Sequence, residues 1–326
     1  MSLSLDCRIC GNSLGNREFS VPEMLYGTGE EFAYFECHSC ATLQAAQVPE
    51  DLSRYYPPGY LGPVSDQQEA EARPNPVRLF LKQQRVLYML YGKNPLGWLA
   101  SKIGEDYFGY TWEWFRKSGA TPASCILDVG CGPGLLLKNL QYQGFSNLSG
   151  VDPFQEKTHP GLNIHRTELN ELAGQYDFIM LHHSLEHMPD PAGALGELKR
   201  LCSPGGTILI RIPVASCYAW ERYGVNWFQI DAPRHIVIPS VRGMELLAEN
   251  AGLRISEIVF DSDELQFCCS EQYMQGISLK DPRSYLRNRE TDSFTREQIE
   301  SFKQQSRELN ELGRGDQACF YFRNSS

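Results

Sequence analysis

With 326 residues, 42% of them hydrophobic and 21% charged, the chain can bury a sizeable core and has the composition of an ordinary globular protein. Its net charge of −10 argues against general binding to a phosphate backbone, which depends on Lys and Arg, so nucleic acid is not an expected partner. Residues 1–10 lack an apolar core and no apolar run approaches the ~18 residues of a membrane span, so neither a signal peptide nor a transmembrane segment is expected, and the expected compartment is the cytoplasm.

Eleven cysteines, odd in number and including the adjacent Cys268-Cys269, do not read as a disulfide framework. Four of them stand apart at the start, as Cys7-Arg-Ile-Cys10 and Cys37-His-Ser-Cys40. Each pair can form a knuckle that offers two thiolates, and two knuckles make a tetrahedral four-sulfur site suited to structural zinc. A redox dithiol, a disulfide pair or an iron site are the alternatives. Gly11 and Ala41 follow the knuckles and are small enough for the turns, and Glu31 to Glu36 alternates like a hairpin strand. Residues 1–48 are therefore expected to form a zinc-ribbon-like segment. Residues 49–110 follow as a Pro- and Tyr-rich linker with covering helices. Arg54-Tyr-Tyr-Pro-Pro-Gly-Tyr60 is its aromatic run, and Val77 to Tyr91 reads as a partly basic helix.

Residues 111–326 carry alternating strand and helix signals. Ile126 to Val129 reads as a buried strand, Gly130, Gly132 and Gly134 as a glycine turn, and Leu135 to Leu140 as a helix start. Such a turn lets the backbone approach a nucleotide at a helix N-terminus. A dinucleotide fingerprint wants a third glycine where Leu135 stands. Asp128 would repel a pyrophosphate but suits a cationic ligand. Asn147 to Val151 reads as the next strand, and Asp152 at its end can accept hydrogen bonds from a ribose. Tyr176 to Leu181 and Thr207 to Ile212 read as further strands, with a Pro-Gly-Gly turn before the latter. Ser240 caps a helix that ends before Gly252, Leu253 to Phe260 reads as a strand, and residues 262–315 as a polar insertion with a helix over Thr295 to Leu312. Cys125, Cys131, Cys202, Cys217 and Cys319 lie in apolar or strand contexts and read as small core residues.

These segments, in this order, resemble class I S-adenosylmethionine (SAM) methyltransferases. Asp128-x-Gly130-x-Gly132-x-Gly134 resembles their motif I, His182-His-Ser-Leu-Glu-His187 their Leu-Glu-His loop, and Leu198 to Gly206 their helix and Pro-Gly-Gly turn. The match covers about residues 122–261, with Asp316 to Arg323 as a last strand. The resemblance implies an α/β fold, a doubly wound Rossmann-like sheet of seven strands, beside the small N-terminal zinc ribbon. It implies SAM as cofactor, held by Asp128, Gly130, Gly132, Gly134 and Asp152, with Glu168 toward the adenine and His182 on the cofactor side. His183, His187 and His235 are the candidate general bases, because histidine titrates near neutral pH and sits in or beyond these loops. Arg234 is a candidate anion clamp, or else a buried partner of Asp231.

A four-cysteine start joined to this core resembles methyltransferases of bacterial glycan and natural-product pathways, including sugar methyltransferases. The zinc-containing sugar C-methyltransferases carry a second C-terminal nucleotide-fold domain, and too few residues follow Phe260 for one. O-methylation of a sugar, glycan precursor or small molecule is therefore the expected activity. The alternatives are an RNA methyltransferase that grips nucleic acid with its ribbon and a non-catalytic SAM-binding module. Leu135 and Asp128 speak against an NAD oxidoreductase.

Overall fold

The computed structural model describes residues 5–57, 76–102, 111–155, 159, 161–290 and 292–324. Most of the Pro-rich linker, residues 58–75, lies outside them, Tyr60 included. The strands are β1 (Arg17–Pro22), β2 (Glu31–Glu36), β3 (Leu43–Ala45), β4 (Cys125–Val129), β5 (Asn147–Val151), β6 (Asn163–His165), β7 (Tyr176–His182), β8 (Cys202–Pro213), β9 (Val237–Ile238), β10 (Arg254–Phe260) and β11 (Gln317–Arg323). They form a four-stranded sheet in the order β1-β2-β3-β9 and a seven-stranded sheet in the order β10-β11-β8-β7-β4-β5-β6. The latter is the mostly parallel, doubly wound Rossmann-like sheet that the resemblance implied: β4 pairs in parallel with β5 and β7, and β5 with β6. Among the described residues no helix is long and apolar enough to cross a membrane.

The chain divides into two compact units. One comprises residues 59–182, 197–209 and 321–326. Its helices are α1 (Pro76–Tyr91), α2 (Pro95–Ser101), α3 (Thr111–Ser118) and α4 (Leu135–Tyr142). Ile126, Leu127, Phe178 and Ile179 are fully buried, as the near-continuous apolar runs of a doubly covered parallel strand require. Phe115 of α3 packs tilted against Phe145 and edge-on against Phe178, at 4.7 and 5.5 Å between ring centres. The Arg323 guanidinium donates to the carbonyls of Lys117 and Ser118, which a helix end leaves without intrahelical donors.

The other unit comprises residues 1–58, 183–196 and 210–320. It holds α6 (Tyr218–Tyr223), α7 (Val241–Ala251), α8 (Leu265–Met274) and α9 (Arg296–Glu311); α5 (Pro191–Leu201) begins in it. Its core gathers Tyr34, Leu43, Trp220, Trp227, Ile230, Ile238 and Phe267. The N-terminal hairpin is thus built into a larger body. Leu43 of β3 pairs with Ile238 of β9, and the Tyr34 hydroxyl donates to the His235 carbonyl at 2.7 Å.

Two expectations need correction. The Pro-Gly-Gly segment was expected to turn before the strand, yet Cys202–Pro213 is continuous strand, because Gly205 and Gly206 pair with Asn324. Cys125 is exposed rather than core, since it opens β4 at the strand's solvent end. The helix after Ser240 is capped as expected: the Ser240 hydroxyl accepts from Gly243 N–H at 2.9 Å, and Gly252 closes the helix at φ +62°. That hydroxyl also donates to the Cys40 carbonyl. Replacing Ser240 by Ala removes both bonds and should cost about 1–3 kcal/mol. Urea denaturation of the two proteins would measure it, and identical midpoints would contradict the double role.

Candidate functional site

The glycine turn has the conformation that only glycine adopts freely. Gly130, Gly132 and Gly134 have φ of +73°, +52° and +87°. A Cβ on Gly134 would also lie 2.5 Å from Ile164 Cδ1, so this glycine serves packing as well. The turn is tied to the end of β5. Gly130 N–H donates to the Val151 carbonyl at 2.8 Å, and Gly132 N–H to Asp152 Oδ2 at 3.0 Å. Asp152 Oδ1 accepts from Phe154 N–H at 3.0 Å. Each carboxylate oxygen can accept more than one bond, so Asp152 retains capacity for a ribose. Both Asp128 and Asp152 are buried. Burial pushes the Asp128 carboxyl up to about 7, and the charge of Asp152 adds to that push.

This arrangement fits SAM. Two acids enclosed beside one turn repel each other, and a ligand carrying positive charge relieves the strain, whereas a pyrophosphate adds to it. Glu168 is exposed, just beyond β6. His182 ends β7 with its ring stacked on Trp114, 4.1 Å between centres.

The candidate bases fall in the other unit. His183 is held at φ +51°, an uncommon region for a residue with a side chain. Its Nδ1 lies 3.2 Å from Glu186 Oε1, and its Nε2 3.1 Å from an Arg211 Nη1. A guanidinium only donates, so Nε2 accepts and Nδ1 carries the proton that goes to Glu186. Arg211 pairs with Asp261 at 2.5 Å. His187 Nδ1 lies 2.9 Å from the Arg234 carbonyl and 3.0 Å from the Tyr56 hydroxyl, and its ring meets that of His235 edge-on at 4.7 Å. His235 is buried, with Nδ1 2.7 Å from the Gln229 carbonyl. Burial pushes its imidazole down to about 4, helped by the charge of His187. Glu186 is fully buried. Burial raises its carboxyl, but the hydrogen bond from His183 and the surrounding imidazoles outweigh that and hold it at about 2.

Arg234 takes the second of its two expected roles. Its fork is spent on Asp231 and Glu23 and on the Tyr55 carbonyl, fully buried. Sequence reasoning missed Arg211, Asp261 and Glu186. Arg211 was visible as the one charge in the apolar run Ile208-Leu-Ile-Arg-Ile212, and Glu186 as the middle of the Leu-Glu-His motif.

A cavity of about 230 Å³ in this unit is lined by His183, Arg211, Gln229, Asp263, Gln266 and Asp316, among others. Burial pushes the Asp316 carboxyl up to about 6. A wider hollow of about 370 Å³ lies at Cys125, Asn147 and Tyr176, the first residues of β4, β5 and β7. Ligands of such sheets bind at the opposite, carboxyl ends, so size does not make this hollow the site.

The four N-terminal cysteines converge. Cys7 and Cys40 sulfurs are 3.6 Å apart, Cys10 and Cys37 sulfurs 3.4 Å, and all four lie within 4.8 Å of one another. Thiolates at zinc bonds of about 2.3 Å would sit about 3.8 Å apart in a tetrahedron. Gln44 donates to Cys7 Sγ and Asn12 to Cys37 Sγ, as suits thiolate ligands.

The raised Asp128 carboxyl has a consequence for stability. Unfolded, the group titrates at about 3.9; folded, at about 7. The folded chain holds the extra proton between those values, so stability should fall as pH rises from about 4 to 7 and stay lowered above. Asp128→Asn should therefore stabilise the ligand-free protein at pH 8, on the order of 2–4 kcal/mol, and leave it unchanged near pH 4. Denaturation at both pH values would show it, and an equal or lower midpoint at pH 8 would remove the claim.

A methyltransferase-domain family profile matches residues 98–258. The chain is 28% identical over 169 residues to a ubiquinone biosynthesis O-methyltransferase of Pseudomonas aeruginosa, covering 45% of this chain and 71% of that protein. It is 30% identical over 140 residues to the protein of the same name from Erwinia tasmaniensis, covering 37% and 57%. A SAM-dependent methyltransferase structure from Mesorhizobium loti aligns at a TM-score of 0.40 and 16% identity, covering 65% of this chain and 96% of that one. With the motif I turn, its two acids and the matching domain together, the chain is a class I SAM-dependent methyltransferase, with residues 98–258 as its methyltransferase domain.

Proposed function

We propose that the enzyme methylates a hydroxyl of a small polar acceptor such as a sugar or glycan precursor, with His183 as general base. The observation that carries this reading is the Glu186–His183 pair, whose histidine lines the cavity. A buried carboxylate on Nδ1 fixes the tautomer and leaves Nε2 as the working nitrogen, the arrangement that makes histidine an effective base. The unusual backbone of His183, held by its N–H to the Arg211 carbonyl at 2.9 Å, points the same way. The cavity's amides and acids offer hydrogen bonds to a hydroxyl-bearing ligand, and Phe228 and Leu265 add an apolar wall. The curated relatives named above are O-methyltransferases by name, which supports oxygen as the acceptor atom.

Asp128, the glycine turn, Asp152, Glu168 and His182 would hold SAM, which when bound supplies an electrophilic methyl group on a sulfonium. The protein then has to orient the acceptor and take its proton. An acceptor hydroxyl that displaces Arg211 from His183 Nε2 leaves the guanidinium on Asp261 and puts the proton within reach of the imidazole. Of the other candidates, His235 is too buried to meet an acceptor, and His187 does not line this cavity. Cys7, Cys10, Cys37 and Cys40 would hold one structural zinc, since four thiolates leave no open position.

Full-length protein incubated with SAM and a panel of sugar nucleotides, simple glycosides and phenols should yield a monomethylated product by mass spectrometry. His183→Gln should lower kcat by roughly 10²–10⁴-fold with the SAM affinity kept. An undiminished rate would remove His183 from the chemistry. Metal analysis should give about one zinc per chain, lost in Cys7→Ser; a folded, metal-free wild-type protein would end the zinc reading.

A further inference from the structure

We infer that Glu186, His187 and His235 form a second metal site, for a divalent first-row cation, distinct from the cysteine cluster. One ligand atom from each lies within 4.8 Å of the others. His235 Nε2 is 3.9 Å from Glu186 Oε1. Around a tetrahedral ion with bonds of about 2.1 Å, ligand atoms stand about 3.4 Å apart, so closing on the ion takes movements of about half an ångström to one ångström.

The hydrogen bonds around the trio are those of metal ligands. Both histidines give their Nδ1 proton to a backbone carbonyl, His187 to Arg234 and His235 to Gln229. That pattern fixes the tautomer and leaves Nε2 unprotonated on each ring, as in metal-bound imidazoles. The second, independent observation is Glu186 itself. Its side chain is fully enclosed, and Oε2 has no hydrogen-bond partner among the described residues. A buried carboxylate oxygen left without a partner is costly, and a cation beside it removes the cost. Asp231 Oδ2, 4.0 Å from His235 Nε2, adds negative potential, although Arg234 neutralises part of it.

Two imidazoles and one carboxylate suit zinc, manganese, iron or cobalt rather than calcium. Three protein ligands leave at least one coordination position open, unlike the four-cysteine cluster. Water can fill it.

The test needs neither SAM nor acceptor, so it stands apart from the reading of methyl transfer. Full-length protein supplied with a single equivalent of zinc, which the four thiolates take first, is titrated with Mn²⁺ and followed by electron paramagnetic resonance, since manganese competes poorly for four thiolates. The wild type should bind about one Mn²⁺, His187→Gln should weaken this at least about tenfold, and Cys7→Ser should leave it unchanged. His187 is only half-buried, so its variant is the fold-sparing one, and His235→Gln, read with circular dichroism, is the second arm. No uptake of Mn²⁺ or Co²⁺ by the wild type would overturn the inference. So would equal uptake in His187→Gln, or loss in Cys7→Ser with retention in His187→Gln.

Discussion

The enclosure of two like charges beside one glycine turn sets the character of the cofactor site. Asp128 and Asp152 come from neighbouring parallel strands whose register pairs Asp128 with Gly150 and Val129 with Val151. The backbone therefore holds them together whether or not a ligand is present. Gly150 must be glycine for this to work, because a Cβ there would strike Cys131 Sγ at 2.6 Å. Asp152 reaches back to Gly132 N–H and stays anchored, while Asp128 carries the electrostatic cost. A glycine turn alone is neutral as to which nucleotide it takes. The strained carboxylate beside it would favour a ligand with positive charge over the pyrophosphate of a dinucleotide.

Glu186 has a comparable place in the other unit. One oxygen faces His183, its backbone carbonyl accepts from Ile236 N–H at 2.7 Å, and His235 stands one residue before that donor. The Ile236 carbonyl in turn accepts from Ala45 N–H at 2.9 Å, beside the pairing of β3 with β9. The four-cysteine segment is thereby linked through a short run of backbone bonds to Glu186, the partner of the proposed base. A structural metal at the cysteines would hold β3 in place, and β3 holds the strand that follows His235. This gives a physical reason for a zinc segment inside the unit that also contains the candidate base.

Much of this was legible in the sequence. β4, β5 and β7, the Ser240 cap and the 295–312 helix follow from apolar runs, glycine positions and capping residues, which act over a few neighbours. The four cysteines and the acids at 128 and 152 were legible because their chemistry depends on spacing along the chain. What was not legible depends on contacts between distant segments. Gly205 and Gly206 became strand because Asn324 lies beside them, and Arg234 became a buried partner because Glu23, 211 positions earlier, lies against it. The division of labour among His183, His187 and His235 was equally closed to sequence reasoning. It is decided by which ring nitrogen meets a carbonyl and which meets a guanidinium, and nothing in a Leu-Glu-His motif states that.

That division follows from donor and acceptor rules alone. A carbonyl obliges the nitrogen it faces to carry the proton, so His187 and His235 share one tautomer, with Nε2 unprotonated. A guanidinium obliges the opposite at the nitrogen it faces, so His183 also has its proton on Nδ1, but its Nε2 is screened by Arg211. All three rings therefore present an unprotonated Nε2, yet of the three only His183 lines the cavity. Nε2 of the proposed base is covered by Arg211, whose guanidinium donates to it at 3.1 Å. The Asp261–Arg211–His183–Glu186 chain thus runs from a carboxylate through a guanidinium and a neutral imidazole to a second carboxylate, and a hydroxyl inserted between Arg211 and His183 would leave the guanidinium paired with Asp261.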